Sequence, residues 1–315
     1  MRKCLDRKNL SSFTIHLVRS MFSPQIYPIT QALGYVSFAV ADLESATQTA
    51  QEVLGLRCVH TDATRSYLSS NDRQVELMLS SAPTPALLAV GLEATNEDSF
   101  HLLKSRLSEA KVKFSEARDV YPGVTKLIRF LLPSGHPVEL HPSVGQTQPS
   151  FYPTAGVRPR RLGHALLKVE DIPIVEDFLT EVLSFRVSDR GVGGEIVWLR
   201  CSEVHHSINL LQGPPGLHHY AWEVDEWSVF KQLGDVLRGH HSQLVWGPGR
   251  HGPGNNLFTY HADPSGALVE YFADILRVEN EETYQWRDWS EVPEWNNIWG
   301  PLPPANFREY GVGLA

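Results

Sequence analysis

Short runs of alternating apolar and polar residues give way to a helical period four times along the chain. In "LGYVSFAVADLESATQTAQEVLGLR", from Leu33, an alternating strand passes through an acidic turn into an amphipathic helix. "LGHALLKVEDIPIVEDFLTEVLSFR", from Leu162, aligns with it without a gap. Asp42 and Asp171 stand where a helix N-cap belongs, and the helices run out near Gly55 and Ser184. A second aligned pair, "ALLAVGLEATNEDSFHLLKSRLSEAKVKF" from Ala86 and "GLHHYAWEVDEWSVFKQLGDVLRGHHSQL" from Gly216, again predicts strand, turn and helix. Apolar strands follow each, closing on Pro-Ser-Gly turns at 133–135 and 264–266.

The pattern predicts an α+β fold of four βαβββ modules, at 31–84, 85–145, 160–213 and 214–274. The expected organisation is an N-terminal extension (1–30), an N-terminal two-module domain (31–145), a C-terminal two-module domain (160–274) and an aromatic tail (275–315). The Pro/Gly-rich stretch "GQTQPSFYPTAGVRPR" joins the halves. The first twenty residues are basic and read as an extension or an upstream start, since Met21 suits a start; a transit peptide is the second reading. For the tail, with Trp286, Trp289, Trp295 and Trp299, three roles stay open: a cover over a pocket mouth, a subunit contact, or packing along the outside of the barrel.

Composition narrows the function. The 315 residues carry a net charge of −8 without a Lys/Arg-rich face, which argues against nucleic acid and anionic membranes as partners. No apolar run reaches the roughly 20 residues that span a bilayer. Three cysteines, far apart, argue against a disulfide framework and for a reducing cytoplasm. Fourteen histidines, crowded into the second half, point to metal or acid/base chemistry.

The repeat sorts these histidines. "LGHALLKV" aligned with "LHHYAWEV" sets His164 opposite His219, and leaves His218 on the other face of its strand. Glu270, in the apolar strand "GALVEYF", is the third candidate, because a lone buried carboxylate is costly unless paired or bound to a cation. Two imidazoles and a carboxylate make a facial triad of the kind non-haem Fe(II) sites use. The first half has Tyr35 and Ala89 at the histidine positions and keeps Glu139, so it is expected to hold the fold without the metal. In "VHHSINLL", alternation predicts an enclosed His206, on the face of Val204, Ile208 and Leu210, and a solvated His205, beside Ser207 and Asn209. A buried neutral histidine beside a metal suits proton transfer.

The segment "GPGRHGPGNNLFTYHADPSGALVEYF", residues 247–272, together with the two histidine strands, resembles the signature of the type I extradiol ring-cleavage dioxygenases of the vicinal-oxygen-chelate superfamily. The likeness is to catechol 2,3-dioxygenase and homoprotocatechuate 2,3-dioxygenase types and covers about residues 31–275. It implies extradiol cleavage of a catecholic substrate with O₂, to a ring-opened muconic semialdehyde-type acid. It implies His164, His219 and Glu270 as ligands of Fe(II), or Mn(II) in some relatives, with His206 as the distal acid/base. Tyr260 and His251 would hydrogen-bond the catecholic oxygens, Trp198 would form a pocket wall, and Asn255 and Asn256 would lie on a pocket-side loop, with Asn255 taken as a substrate contact. A homo-oligomer is also implied. Trp246 stands where some relatives carry a basic ligand for a substrate carboxylate, and Leu166 replaces a polar residue of some relatives; both favour a neutral or bulky apolar ring substituent. The competing readings are a non-catalytic ligand-binding or resistance protein, and another metal-dependent enzyme of the same fold. Fold alone does not choose among them.

Overall fold

The computed structural model describes residues 27–149 and 151–315; the expected N-terminal extension lies, up to residue 26, outside the described residues. The first half contains β1 (Thr30–Val40), α1 (Leu43–Glu52), β2 (Arg57–Thr61), β3 (Arg65–Ser69), β4 (Leu77–Ser81), β5 (Ala86–Ala94), α2 (Asp98–Glu109), β6 (Phe114–Tyr121), β7 (Val124–Leu131) and β8 (Pro137–His141). The second contains β9 (Arg161–Val169), α3 (Ile172–Glu181), β10 (Arg186–Gly191), β11 (Ile196–Arg200), β12 (Ile208–Gln212), β13 (Gly216–Glu223), α4 (Ser228–Gly239), β14 (Leu244–Arg250), β15 (Leu257–Ala262) and β16 (Leu268–Ala273). Two short strands follow in the tail, β17 (Arg287–Asp288) and β18 (Val312–Gly313). Each βαβββ unit is thus present, and the units pair into two barrel-like sheets.

The pairing is the same in both. The first sheet runs β2-β3-β4-β1-β5-β8-β7-β6, and the second runs β10-β11-β12-β9-β13-β16-β15-β14, with β17 added beside β10 and β18 beside β13. Local chemistry repeats as well. Asp42 caps α1 by accepting the Ser45 N–H at 2.9 Å, and Asp171 caps α3 by accepting the Ile174 N–H at 3.2 Å. Past the helix ends, Gly55 and Ser184 share a left-handed backbone, with φ of 63° each.

Each helix buries one stripe against its sheet: Ile172, Val175, Phe178 and Leu179 on α3, and Phe230, Leu233 and Leu237 on α4. These join one apolar core that runs through both halves, from Leu33 and Phe38 to Trp222 and Tyr271. Tyr271 Oη reaches into the connecting segment and donates to the Val157 carbonyl at 2.8 Å. No helix among the described residues is long and apolar enough to cross a membrane. Cys58 and Cys201 are free thiols.

His261, on β15, is buried with Nδ1 unpartnered, and burial pushes its imidazole down to about 4. The unfolded chain therefore takes up a proton at higher pH than the fold does. His261 contributes its full stability above about pH 6.5, and that contribution is lost as the pH falls toward 4. Between pH 7.5 and pH 5 the loss amounts to about 2 kcal/mol. Urea unfolding of His261→Leu is expected to show a stability drop over that interval smaller by about this amount. An unchanged drop rejects the assignment.

Candidate metal centre

The site is built by strand register. On β15, β16, β13 and β9, Tyr260 lies opposite Glu270, Glu270 opposite Ala221, and Ala221 opposite His164. Directly opposed residues point to the same face. Tyr260, Glu270 and His164 thus project from one row, and the small Ala221 leaves the space between them open. A second row, on β13, β9, β12 and β11, sets His219 opposite Leu166, Leu166 opposite Asn209, and Asn209 opposite Trp198. The first row presents polar groups, and the second leads from His219 along a wall in which Asn209 stands between the apolar Leu166 and Trp198.

The ligand atoms of His164, His219 and Glu270 lie within 4.8 Å of one another, and all three residues are buried. Glu270 Oε2 is 3.0 Å from His164 Nε2, 3.3 Å from His219 Nε2 and 2.8 Å from the Tyr260 hydroxyl. Asn256 Nδ2 donates to Glu270 Oε1 at 3.2 Å. Burial raises the Glu270 carboxyl, but facing His164 and His251 and accepting from Tyr260 outweigh burial and set it below its ordinary value.

Hydrogen bonds also determine which nitrogen of His219 is bare. His218 Nε2 sits 2.8 Å from the Phe307 carbonyl, which only accepts, so that nitrogen carries the proton. His218 Nδ1 then has a lone pair, and His219 Nδ1, 2.9 Å away, must donate to it. His219 Nε2 is left bare, buried and without a hydrogen-bond partner. An imidazole lone pair facing a carboxylate oxygen at 3.3 Å is repulsive unless a cation lies between them. Two imidazoles and a carboxylate of this kind fit a divalent first-row transition metal. Burial, and then the neighbouring His218, hold His219 far below the ordinary imidazole range, so it is neutral at pH 7, as a metal ligand must be.

Around the triad lie the other expected residues. The His206 ring packs edge-on to that of His164, with centroids 4.4 Å apart, and burial followed by the facing His164 keeps it neutral. His251 Nδ1 donates to the Asn296 carbonyl, and its Nε2 lies 3.0 Å from the Tyr260 hydroxyl. Burial and then Glu270 push the Tyr260 hydroxyl well above its usual range. Its single proton faces two acceptors, Glu270 and His251 Nε2. Trp198, Leu166, Ile196, Leu211 and Trp295 form an apolar cluster that lines the same cavity. Trp246 lines it too, stacked on Tyr260 with rings 10° from parallel.

Three expectations change. His205 is not solvated: it is completely buried, as are Ser207 and Asn209. Regular strand β12 begins only at Ile208, so alternation does not extend back to the histidine pair. His218 does not turn away from the site either. The β13–β9 register shifts between Leu217 and His219, and both rings line the cavity. Asn255, expected at the substrate, is exposed with a φ of 52°; its carbonyl accepts from Arg250, and the inward place belongs to Asn256.

The tail covers the cavity: Trp295, Asn296, Pro303, Phe307 and Arg308 line it, and Trp246 Nε1 donates to the Pro301 carbonyl at 2.9 Å. Of these residues the sequence marks only Trp295, in a tail for which a cover over a pocket mouth is one of the open roles; Asn296, Pro303, Phe307, Arg308 and also Asp189 carry no local period that marks them.

The first half preserves the row without the centre. Arg129 lies opposite Glu139, Glu139 opposite Gly91, and Gly91 opposite Tyr35. The Tyr35 ring covers Gly91 so closely that an added Cβ would lie 2.5 Å from it. The Tyr35 hydroxyl and the Arg129 guanidinium bond to Glu139 at 2.5 and 2.6 Å. A phenol ring thus stands at the row position that His164 holds in the second half, and the Arg129 guanidinium supplies the counter-charge of Glu139.

Comparison with known proteins agrees with this geometry. The family model described as the glyoxalase/bleomycin resistance protein/dioxygenase superfamily matches residues 32–140 and 161–271. The 3-methylcatechol 2,3-dioxygenase of Pseudomonas putida is 28% identical over 295 residues, covering 86% of this chain and 97% of its own. The manganese-dependent 2,3-dihydroxybiphenyl 1,2-dioxygenase of Geobacillus genomosp. 3 is 27% identical over 220 residues, covering 61% and 70%. The Mn(II)-bound glyoxalase from Novosphingobium aromaticivorans superposes with a TM-score of 0.80 at 26% identity, covering 88% of this chain and 96% of that one. With its four modules, its paired sheets and a family match over both halves, the chain belongs to the glyoxalase/bleomycin resistance protein/dioxygenase superfamily.

Proposed function

We propose that the protein is an extradiol dioxygenase, which opens a catechol ring beside its two hydroxyls with O₂. One observation carries this reading. Two members of the buried triad of His164, His219 and Glu270, namely His219 and Glu270, line the same cavity as a neutral His206 and the Tyr260–His251 pair. The triad would hold Fe(II), or Mn(II) as in the manganese-dependent relative. When bound, the metal would lower the pKa of the substrate hydroxyls and hold both reactants side by side. The product has the composition of catechol plus O₂: one ring C–C bond breaks, both oxygen atoms are retained, and no outside reductant is consumed.

The side chains have separable tasks. His206 Nε2 takes and returns a proton at the substrate oxygens, and the Tyr260 hydroxyl and His251 Nε2 hydrogen-bond them. The apolar wall and the tail exclude water. A ligand-sequestering protein has no use for a proton-transfer group beside its metal, which sets that reading behind this one. The likeness to a Mn(II)-bound glyoxalase keeps a metal-dependent isomerase as the competitor that the assay must exclude.

The test is to load the protein anaerobically with Fe(II) or Mn(II), add a panel of catechols, admit air, and follow oxygen uptake and the coloured ring-opened product. No uptake with any catechol rejects the proposal.

The wall also bears on the substituent. Leu166, Trp198, Leu211 and Trp295 present apolar surface, and Arg308, the cation at the rim, is paired with Glu195 at 2.9 Å. A substituent carboxylate against this wall would lose water, and at the rim it would compete with Glu195 for Arg308. Catechols with aryl or alkyl substituents are expected to show kcat/KM at least about tenfold above carboxylate-bearing ones. The opposite order rejects this reading of the wall.

A further inference from the structure

Behind His206, away from the cavity, lies a buried chain of polar groups that none of the tasks above uses. Asp189, on β10, is 4% exposed, and His205 is fully buried. Strand β17 of the tail runs beside β10, with Arg287 opposite Asp189. The Arg287 backbone N–H donates to Asp189 Oδ1 at 2.8 Å, and the Trp289 indole N–H donates to Oδ2 at 2.8 Å. His205 Nε2 lies 3.1 Å from the same Oδ2, and His205 Nδ1 lies 2.9 Å from His206 Nδ1. Gly254, with a φ of 68°, closes over the histidine pair; a Cβ there would sit 3.1 Å from His205 Nδ1.

Proton counting then allows one arrangement of neutral rings. Asp189 only accepts, so His205 Nε2 carries that ring's proton. His205 Nδ1 is therefore a lone pair, and His206 Nδ1 must donate to it. The remaining nitrogen of His206, Nε2, is bare on the cavity side. We propose that Asp189 and His205 are positioning residues that hold His206 as its Nδ1–H tautomer, with a bare Nε2 presented to the substrate. The pair sets the direction of the first proton transfer: His206 meets the bound catechol as a base. His218 and the Phe307 carbonyl impose the same tautomer on His219, so two His-His pairs use one device, each anchored by the tail. The hydrogen bond on one ring nitrogen decides the state of the other.

The catalytic consequence rests on the dioxygenase reading, whereas the tautomer does not, and the experiment separates them. Long-range ¹H–¹⁵N spectra of ¹⁵N-histidine-labelled, metal-free protein report which nitrogen of each ring is protonated. His206 is expected as Nδ1–H and His205 as Nε2–H. In Asp189→Leu, which offers His205 Nε2 no acceptor, both rings are expected to lose the fixed tautomer and to show a mixture of Nδ1–H and Nε2–H forms. His206 found as Nε2–H in the parent protein, or an unchanged pattern in folded Asp189→Leu, overturns the proposal. In the metal-loaded enzyme, Asp189→Leu is expected to lower kcat about 10- to 100-fold with KM moving less than about twofold and metal content unchanged. Asp189→Glu should recover most of the rate. His205→Phe, which keeps the site apolar, is expected to lower kcat similarly, and the double variant should be no slower than either single one. Additive losses would mark two independent structural defects and overturn the positioning role.

Discussion

His219→Ala is expected to leave a folded protein that retains no metal after gel filtration and shows no measurable oxygen uptake, a loss of at least about 10³-fold. His218→Ala is expected to keep the metal with affinity weakened about 10- to 100-fold. The asymmetry follows from the hydrogen bonds. His219 supplies a bare Nε2 3.3 Å from Glu270 Oε2, and its loss leaves His164 and Glu270 as a two-ligand site. His218 supplies no ligand atom to the triad; it accepts the His219 Nδ1 proton and is itself held by the Phe307 carbonyl. Without it, His219 can protonate at either nitrogen, and the metal must select the form with Nε2 bare. Metal analysis and a metal titration separate the variants, and unfolding midpoints show that each is folded. Metal loss in His218→Ala with retention in His219→Ala would exchange the two roles and reject the assignment.

Much of this site was legible from the chain because the repeat carries over into strand register. The gapless alignment of the two histidine strands chose His219 over His218, and the structure places His164 and His219 at equivalent points of β9 and β13. His164 pairs with Ala221 where Tyr35 pairs with Gly91, and His219 pairs with Leu166 where Ala89 pairs with Ser37. Glu270 was legible for an energetic reason: a carboxylate in so apolar a strand needs a counter-charge. Its first-half counterpart obeys the same rule with Arg129 instead of a metal.

What stayed hidden depends on irregular backbone and on contacts distant in sequence. Alternation misplaced His205 because the chain at 205–207 makes no regular strand, and a left-handed residue at Asn255 sends its neighbour Asn256 inward. For the tail, a cover over the pocket mouth is one of three roles open on the sequence, and no local pattern chooses among them. The tail reaches the centre through the Asn296 and Phe307 carbonyls, and backbone acceptors leave no trace in residue type.

The second large effect is expected at His206. His206→Asn should bind the metal as the parent does and should bind catechol with little change in KM, while kcat falls about 10²- to 10⁴-fold. Nothing in the triad depends on His206 for a ligand atom; its ring lies against His164, with centroids 4.4 Å apart. Asparagine retains a polar group and the approximate volume, so the wall of the cavity survives. What it lacks is a nitrogen that can accept a proton and give it back. Burial and the facing His164 hold His206 far below the ordinary imidazole range, so it meets the substrate neutral. Its Nδ1 is engaged by His205, which leaves Nε2 as the one nitrogen for the exchange. Tyr260 cannot substitute, since burial and Glu270 push its hydroxyl well above the usual range and make it a donor that holds its proton. Single-turnover measurements under a range of oxygen concentrations locate the slowed step after substrate binding. Loss of metal from His206→Asn, or a rate within about threefold of the parent, would remove His206 from proton transfer and leave it a packing residue beside His164.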